Sequence, residues 1–398
     1  MNLLMGAMLL GLMLLFSLES RGFYSPSSLM LGLWFFEFTA QYWFGFYEIE
    51  LKTVLLLVLF ITFYVIGAFI GSSIKFKKSN YEWSENKIYN AIKLTFMLLV
   101  IVAPFLYLDI RNNVDFAVNN IAQSVRKYYV DSFGAGHVPL TIKIMANFSI
   151  ILGVLSCIRS NIKLFKKIFF FVCGVLGATI SCGKGYLVLM LGYVLSAIIF
   201  QSKRRKLYLM VIILSAFSIL TLSAVVRDKI NINKYYRIYL LSSVPAFQMI
   251  VNGDFHFPFP TLFGFMKPVF ELFGMNIEVP GGGGNFVEVP DSTNVFTAFG
   301  PALSDYGILF TVVYFMINGF ISGIVYKLAK SSYMIFKIMY GFVLFAIATS
   351  IFSDAFAAWS TIFNYLLVFS IINYYARTKI KKRINATICD DSPCRSDD

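Results

Sequence analysis

Apolar runs of about twenty residues recur along almost the whole chain, and no other feature limits its possible folds as much. Such a run can cross the hydrocarbon core of a bilayer as a helix, the form in which a single segment satisfies its own backbone groups there. Eleven segments fit this measure, at 2–18, 27–46, 53–74, 91–110, 139–158, 168–182, 186–201, 207–226, 301–326, 333–352 and 355–375. The sixth and seventh are short and are joined by Gly183-Lys184-Gly185, so a re-entrant pair and two thin spans are both open. Only 14% of the 398 residues are charged, against roughly 25% in soluble domains. The fold expected is an all-α polytopic membrane protein with about 11 transmembrane helices and one long loop. Helices 1–8 occupy residues 1–226, the main loop 227–300, helices 9–11 residues 301–375, and a polar tail 376–398. The apolar start has neither a basic lead-in nor a small-residue cleavage site, and it reads as a retained helix.

Charge sets the expected orientation. The net charge is +13, and its basic residues fall in alternate loops. Lys75, Lys77, Lys78 and Lys87 form one cluster, Arg159, Lys163, Lys166 and Lys167 the next, and Lys203, Arg204, Arg205 and Lys206 a third. Lys327 and Lys330 follow, and then Arg377, Lys379, Lys381, Lys382 and Arg383 in the tail. Eleven spans put all of these on one face, which the positive-inside rule makes cytoplasmic. The N-terminus and the 227–300 loop then face outward, and the tail faces inward. The 111–138 loop, also outward, has the length for a surface helix over 115–130, with Tyr128 and Tyr129 as interfacial anchors. Basic residues divided among many short loops argue against a nucleic-acid partner. Five cysteines without metal-ligand spacing predict neither a structural disulfide nor a metal site, and no cofactor is expected.

Against that pattern, Lys184, Arg227, Lys229, Lys234 and Arg237 stand at or just beyond the outward ends of helices six to eight. Cations gathered at that face fit a lipid phosphate or pyrophosphate, which the guanidinium fork of Arg227 and Arg237 can bind bidentately. Snorkelling to lipid headgroups is the bland alternative, about even with function for Lys184; Lys229 and Lys234 read as plain surface charge. The loop closes on Asn294-Val-Phe-Thr297, Gly300-Pro301 and Asp305-Tyr306-Gly307. Gly-Pro marks a helix start, which places Asp305 within about one turn of it, where a carboxylate also offsets the macrodipole.

The stretch NVFTAFGPALSDYGILFTVVYFMINGFISGIVYK resembles the late signature of the Wzy-type O-antigen polymerases, which join oligosaccharide repeat units. YLLSSVPAFQMIV resembles the segment that follows the Arg-bearing start of that family's main outer loop, and SCGKGYLVLML its glycine turn between two helices, with Lys184 where Arg is frequent. The resemblance implies a GT-C-like membrane architecture in the bacterial inner membrane. It implies a glycosyltransferase that moves a growing glycan from undecaprenyl pyrophosphate onto a lipid-linked repeat unit at the periplasmic face. The partners implied are that lipid-linked oligosaccharide, membrane lipid and a chain-length regulator protein. Arg227, Arg237 and Lys184 would hold the pyrophosphate, and Asn294 and Thr297 would bind glycan or position the loop. Asp305, His256 and Tyr306 would be the catalytic candidates, with Asp254 and Glu271 as further carboxylates able to act as the base. A lone loop histidine is more often structural, and Tyr306 serves equally as an interfacial anchor. An O-antigen ligase shares the same donor and the long outer loop. A flippase of the same pathway belongs to another class, and the absence of an internal repeat argues against it. A scaffold for an envelope complex is weighed against only by the outward cations.

The orientation is testable with compartment reporters fused at Asn233 and Lys381. Opposite compartments are expected, the first periplasmic and the second cytoplasmic, and one compartment for both would overturn the eleven-span topology.

Overall fold

The computed structural model describes residues 1–77, 81–114, 128, 139–158, 162–180, 184–201, 241–257, 274, 287–289, 292–331, 333–357 and 359–379. In chain order these form α1 (Asn2–Arg21), α2 (Pro26–Phe44), α3 (Leu51–Ser73), β1 (Tyr81–Trp83), α4 (Glu85–Asn113), α5 (Leu140–Cys157), α6 (Leu164–Ile180) and α7 (Lys184–Gln201). There follow α8 (Ser243–Asn252), β2 (Val287–Glu288), β3 (Ser292–Thr293), α9 (Phe299–Lys330), α10 (Met334–Thr349), a single 3-10 turn (Ala355–Ala357), α11 (Trp359–Ala376) and β4 (Arg377–Lys379). Of the eleven expected segments ten coincide with these helices, and the remaining one, 207–226, lies outside the described residues. Among the described residues five helices, α1, α3, α4, α5 and α9, are each long and apolar enough to cross a membrane. The surface helix expected at 115–130 also lies outside the described residues, apart from Tyr128. The hydroxyl of Tyr128 donates to Asp109 Oδ1 at 3.1 Å, and Thr141 Oγ1 donates to Asp109 Oδ2 at 2.9 Å, so the end of α4 is tied to the start of α5.

Lipid tails are as apolar as leucine, so close packing and hydrogen bonds must hold such helices together. Between α3 and α9 the packing is glycine against backbone. A Cβ on Gly67 would stand 2.0 Å from the Met316 carbonyl oxygen, and one on Gly71 2.1 Å from that of Phe320. In return, a Cβ on Gly319 would stand 2.0 Å from the Tyr64 carbonyl oxygen, and one on Gly323 2.3 Å from that of Ala68. Both pairs have the spacing of a Gly-x-x-x-Gly motif, and contacts that advance together along both helices make them parallel. Parallel spans require an odd number of crossings between them, which the five segments expected between the third and ninth satisfy. A second glycine contact joins α7 to α10, where a Cβ on Gly341 would meet the Tyr193 backbone at 2.2 Å. There the helices run antiparallel, with Gly192 at the Gly341 carbonyl and Ser196 Oγ donating to the Lys337 carbonyl one turn further.

The two ends of the bundle differ. One end, here the tail end, carries the antiparallel pair β1–β4, with Tyr81 opposite Lys379 and Trp83 opposite Arg377. Trp83 Nε1 donates to Asn373 Oδ1 at 2.8 Å, and Arg21 Nη2 to Ser73 Oγ at 2.7 Å. Also here, Ser17 Oγ lies 2.9 Å from Ser27 Oγ and 2.8 Å from Ser28 Oγ, clasping α1 to α2 below the Ser25 cap. The opposite, loop end carries Asn2, whose Nδ2 donates to the Ile49 carbonyl at 3.0 Å, together with α8 and the approach to α9.

Gly319→Ala forces a methyl group into the Tyr64 carbonyl. We expect it to destabilise the purified protein by on the order of 1–3 kcal/mol, read as a lower unfolding temperature. Gly32→Ala is the control, because its nearest neighbour is a leucine methyl at 3.9 Å.

Candidate functional site

At the loop end the chain leading into α9 is held from three sides. Ala298 N donates to the Ser350 carbonyl at 2.8 Å, and Trp34 Nε1 to Ser350 Oγ at 3.1 Å. The Phe299 ring lies in a buried aromatic nest, 5.2 Å from Trp34, 5.6 Å from Phe60 and 4.4 Å from Phe315 between centroids. Val295 N and Ser242 Oγ both donate to Thr293 Oγ1, at 3.0 and 3.2 Å, which joins the head of α8 to the approach. The other end of α8 is clamped to the α2–α3 turn. Glu50 N donates to Gln248 Oε1 at 2.8 Å, Asn252 Nδ2 to Glu50 Oε1 at 2.9 Å, and Lys52 Nζ to the Val251 carbonyl at 3.2 Å. Gly253 caps α8 in the left-handed region, at φ 81°, and turns the chain into Asp254-Phe255-His256-Phe257. Phe255 stacks on Phe296 at 5.1 Å, and Phe257 meets Phe296 edge-on at 4.8 Å.

The helix begins at Phe299, two residues ahead of the position expected from Gly300-Pro301, and it is broken at Gly307, where φ is 75° and ψ −174°. Only glycine adopts that conformation without strain. Asp305 and Tyr306 therefore end a short upper segment and stand just before the start of the long one. Asp305 is partly buried, and Tyr306 is 36% exposed. Phe257 N donates to Ser304 Oγ at 3.0 Å, so the segments bearing His256 and Asp305 are joined one residue away from each. His256 and Asp254 are exposed. Asn294 is exposed, whereas Thr297 is wholly buried, and burial suits positioning of the loop rather than contact with a glycan. Lys184 is the first residue of α7; Arg227, Arg237 and Glu271 lie outside the described residues. Among the described residues no three His, Cys, Asp or Glu side chains are grouped as metal ligands.

Two carboxylates missing from the sequence-based candidates come to this end. Asp354, in the turn between α10 and α11, accepts at Oδ1 from the backbone N–H groups of Phe356 and Ala357, at 3.0 and 3.3 Å. The Tyr314 hydroxyl donates to its Oδ2 at 3.1 Å. Tyr314 ends a ring ladder down α9, with Tyr306 to Phe310 at 4.5 Å and Phe310 to Tyr314 at 6.3 Å, so the ladder leads from beside Asp305 to Asp354. Burial pushes the Asp354 carboxyl up to about 7, against the three hydrogen bonds that pull it down. The second is Glu37, fully buried on α2, whose Oε1 accepts from Gln41 Nε2 at 3.0 Å. A lone acid inside an apolar helix is visible in the sequence and is a functional candidate for that reason alone. Asp354 gives no such signal, because Ser-Asp-Ala before a helix reads as an ordinary cap.

Against known proteins, no family model, no curated protein and no solved structure matches this chain.

The raised Asp354 carboxyl fixes the sign of a pH dependence. It favours the folded state while protonated, so its contribution is full below the ordinary value of 3.8 and is lost as pH rises to about 7. Asp354→Asn keeps both backbone contacts and cannot ionise. Its unfolding temperature should fall less than that of the wild type between those pH values, and parallel curves would remove Asp354 as a titrating group.

Proposed function

We propose that the protein is a glycosyltransferase of the bacterial inner membrane that polymerises lipid-linked oligosaccharide repeat units on the periplasmic face. The observation that carries the reading is the junction of the His256 and Asp305 segments at a break in a membrane helix, at the end of the bundle where the main loop returns. A lipid-linked donor requires no nucleotide-binding domain, and the mostly helical architecture of the described residues is compatible with that chemistry. In this reading the base, Asp305 or His256, takes the proton of an acceptor sugar hydroxyl. The freed oxygen bonds to the anomeric carbon of the donor glycan as the bond to undecaprenyl pyrophosphate breaks. The departing pyrophosphate takes the electron pair of that bond, and Arg227, Arg237 and Lys184 offset its charge. The N-terminus and the 227–300 loop face the periplasm, and the tail faces the cytoplasm.

Gene deletion followed by gel analysis of surface polysaccharide tests the reading. Loss of the ladder with one repeat unit left on the core supports a polymerase, a bare core supports a ligase, and an unchanged ladder overturns both. Within a polymerase, Asp305→Asn should lower the rate by about 10² or more at normal protein level, because asparagine keeps the size and cannot take a proton. A full ladder with Asp305→Asn and none with His256→Ala would transfer the role of base to His256.

A further inference from the structure

Glu37 is the only acidic residue of α2, and no solvent reaches its side chain. Gln41 Nε2, one turn along, donates to Glu37 Oε1 at 3.0 Å and also to the Leu241 carbonyl at 2.9 Å. Trp34, a turn in the other direction, bonds Ser350 and packs on Phe299. The Trp34–Glu37–Gln41 stripe is therefore bracketed by two chain segments, 241–243 at one end and 297–299 at the other. These segments are also joined to each other through Ser242 and Thr293. Each carries a fully buried hydroxyl with no hydrogen-bond partner, Ser243 Oγ and Thr297 Oγ1, and Glu37 Oε2 has none either.

Three buried oxygens without partners, one on the stripe and one on each segment that brackets it, leave a large desolvation cost uncompensated. Among the described residues Glu37 makes no ion pair, and apart from the neutral Tyr64 phenol the ionisable groups of the neighbouring elements are engaged elsewhere or lie towards the helix ends. On α1 these are Glu19 and Arg21, at the tail end. On α3 Lys52 bonds the Val251 carbonyl at the loop end, and the Tyr64 hydroxyl, mid-helix, is itself buried without a hydrogen-bond partner. On α9 they are Asp305 and Tyr306 at the head, Tyr314 on Asp354, and Tyr326, Lys327 and Lys330 at the tail end. On α10 they are Lys337 and Tyr340, the latter donating to the Tyr24 carbonyl at the tail end. Helix α8 has none. A single positive charge would neutralise the carboxylate, and hard neutral oxygens complete such a site.

We propose that Glu37, with the hydroxyls of Thr297 and Ser243, forms an enclosed site for a small monovalent cation, a proton or a sodium ion, between α2 and the segments that frame the loop end. The site is new to the proposed transferase and does not depend on that activity. Through Gln41 and Leu241 its occupancy bears on how firmly the 241–243 segment of the main loop is held.

Unfolding temperatures of the purified full-length protein decide it. They are measured in sodium chloride and in choline chloride of equal ionic strength, at about pH 6 and about pH 9. For a sodium ion, sodium raises the wild-type temperature above the choline value at the alkaline pH and leaves Glu37→Gln unmoved. For a proton, sodium has no specific effect, and acidification stabilises the wild type more than Glu37→Gln, a comparison in which Asp354 contributes equally to both proteins. Thr297→Val weakens whichever response is present. Identical responses of wild type and Glu37→Gln to both sodium and pH overturn the site. Should Glu37→Gln not fold, an undiminished response in Thr297→Val, or no response in the wild type, overturns it.

Discussion

Backbone contact between α3 and α9 is the constraint on which the rest of the architecture depends. In a bilayer a helix pair gains little from removing apolar surface from its surroundings, so the pair has to be matched by shape. Four glycines, Gly67, Gly71, Gly319 and Gly323, bring two backbones to a separation that no side chain tolerates. That contact fixes the axial register of α9 against α3. The register then sets where Phe299 falls, and Phe299 has to meet Trp34 on α2, Phe60 on α3 and Phe315 on its own helix together. A slip of one residue would rotate α9 by about 100°, out of both the glycine contact and the aromatic nest. The approach to the helix inherits that precision through the Ala298–Ser350 bond.

Above this rigid floor the loop end is held by polar contacts. Gln248, Asn252 and Lys52 clamp one end of α8, and Ser242 ties the other to Thr293. The break at Gly307 frees the 299–306 segment from the axis of the long helix below it. The lower part can thus keep its glycine register while the upper part meets the chain around His256 through the Phe257–Ser304 bond. In the proposed transferase this division provides a fixed wall in the membrane and gives the candidate groups a short element at its edge.

The helices were legible because the bilayer imposes one length on every crossing, and hydropathy records that length directly. Boundaries were less so. Helix α4 starts at Glu85, six residues before its apolar run, because Glu85-Asn86-Lys87 continue the helix beyond the hydrocarbon zone. The Gly300-Pro301 signal located the head of α9 to within two residues, yet nothing in Asp-Tyr-Gly marked Gly307 as a break, since glycine within a membrane helix is common. The β1–β4 pair was invisible, being three residues on each side separated by most of the chain. Among the site candidates, Asp305 and His256 were found by residue type, and the meeting of their segments came only with the Phe257–Ser304 bond. Glu37 was legible as a lone acid in an apolar run, but its meeting with Leu241 through Gln41 depends on a contact 200 residues distant.

The polar groups at the loop end therefore fall into two kinds, and their solvent contact separates them. His256, Asp254 and Asn294 are exposed, where water screens charge and a substrate can enter. Glu37, Thr297 and Ser243 are sealed beneath them, where an ionised group needs a partner of its own. Thr297 stands at the boundary, three residues after exposed Asn294 and two before the Phe299 nest, so the Asn-Val-Phe-Thr motif runs from the accessible layer into the sealed one. Removing solvent from such a motif has a cost that ordinary packing does not require, since an alanine at Thr297 would leave no hydroxyl to satisfy. The arrangement is explained if the sealed layer has to hold charge and the accessible layer has to be positioned by it.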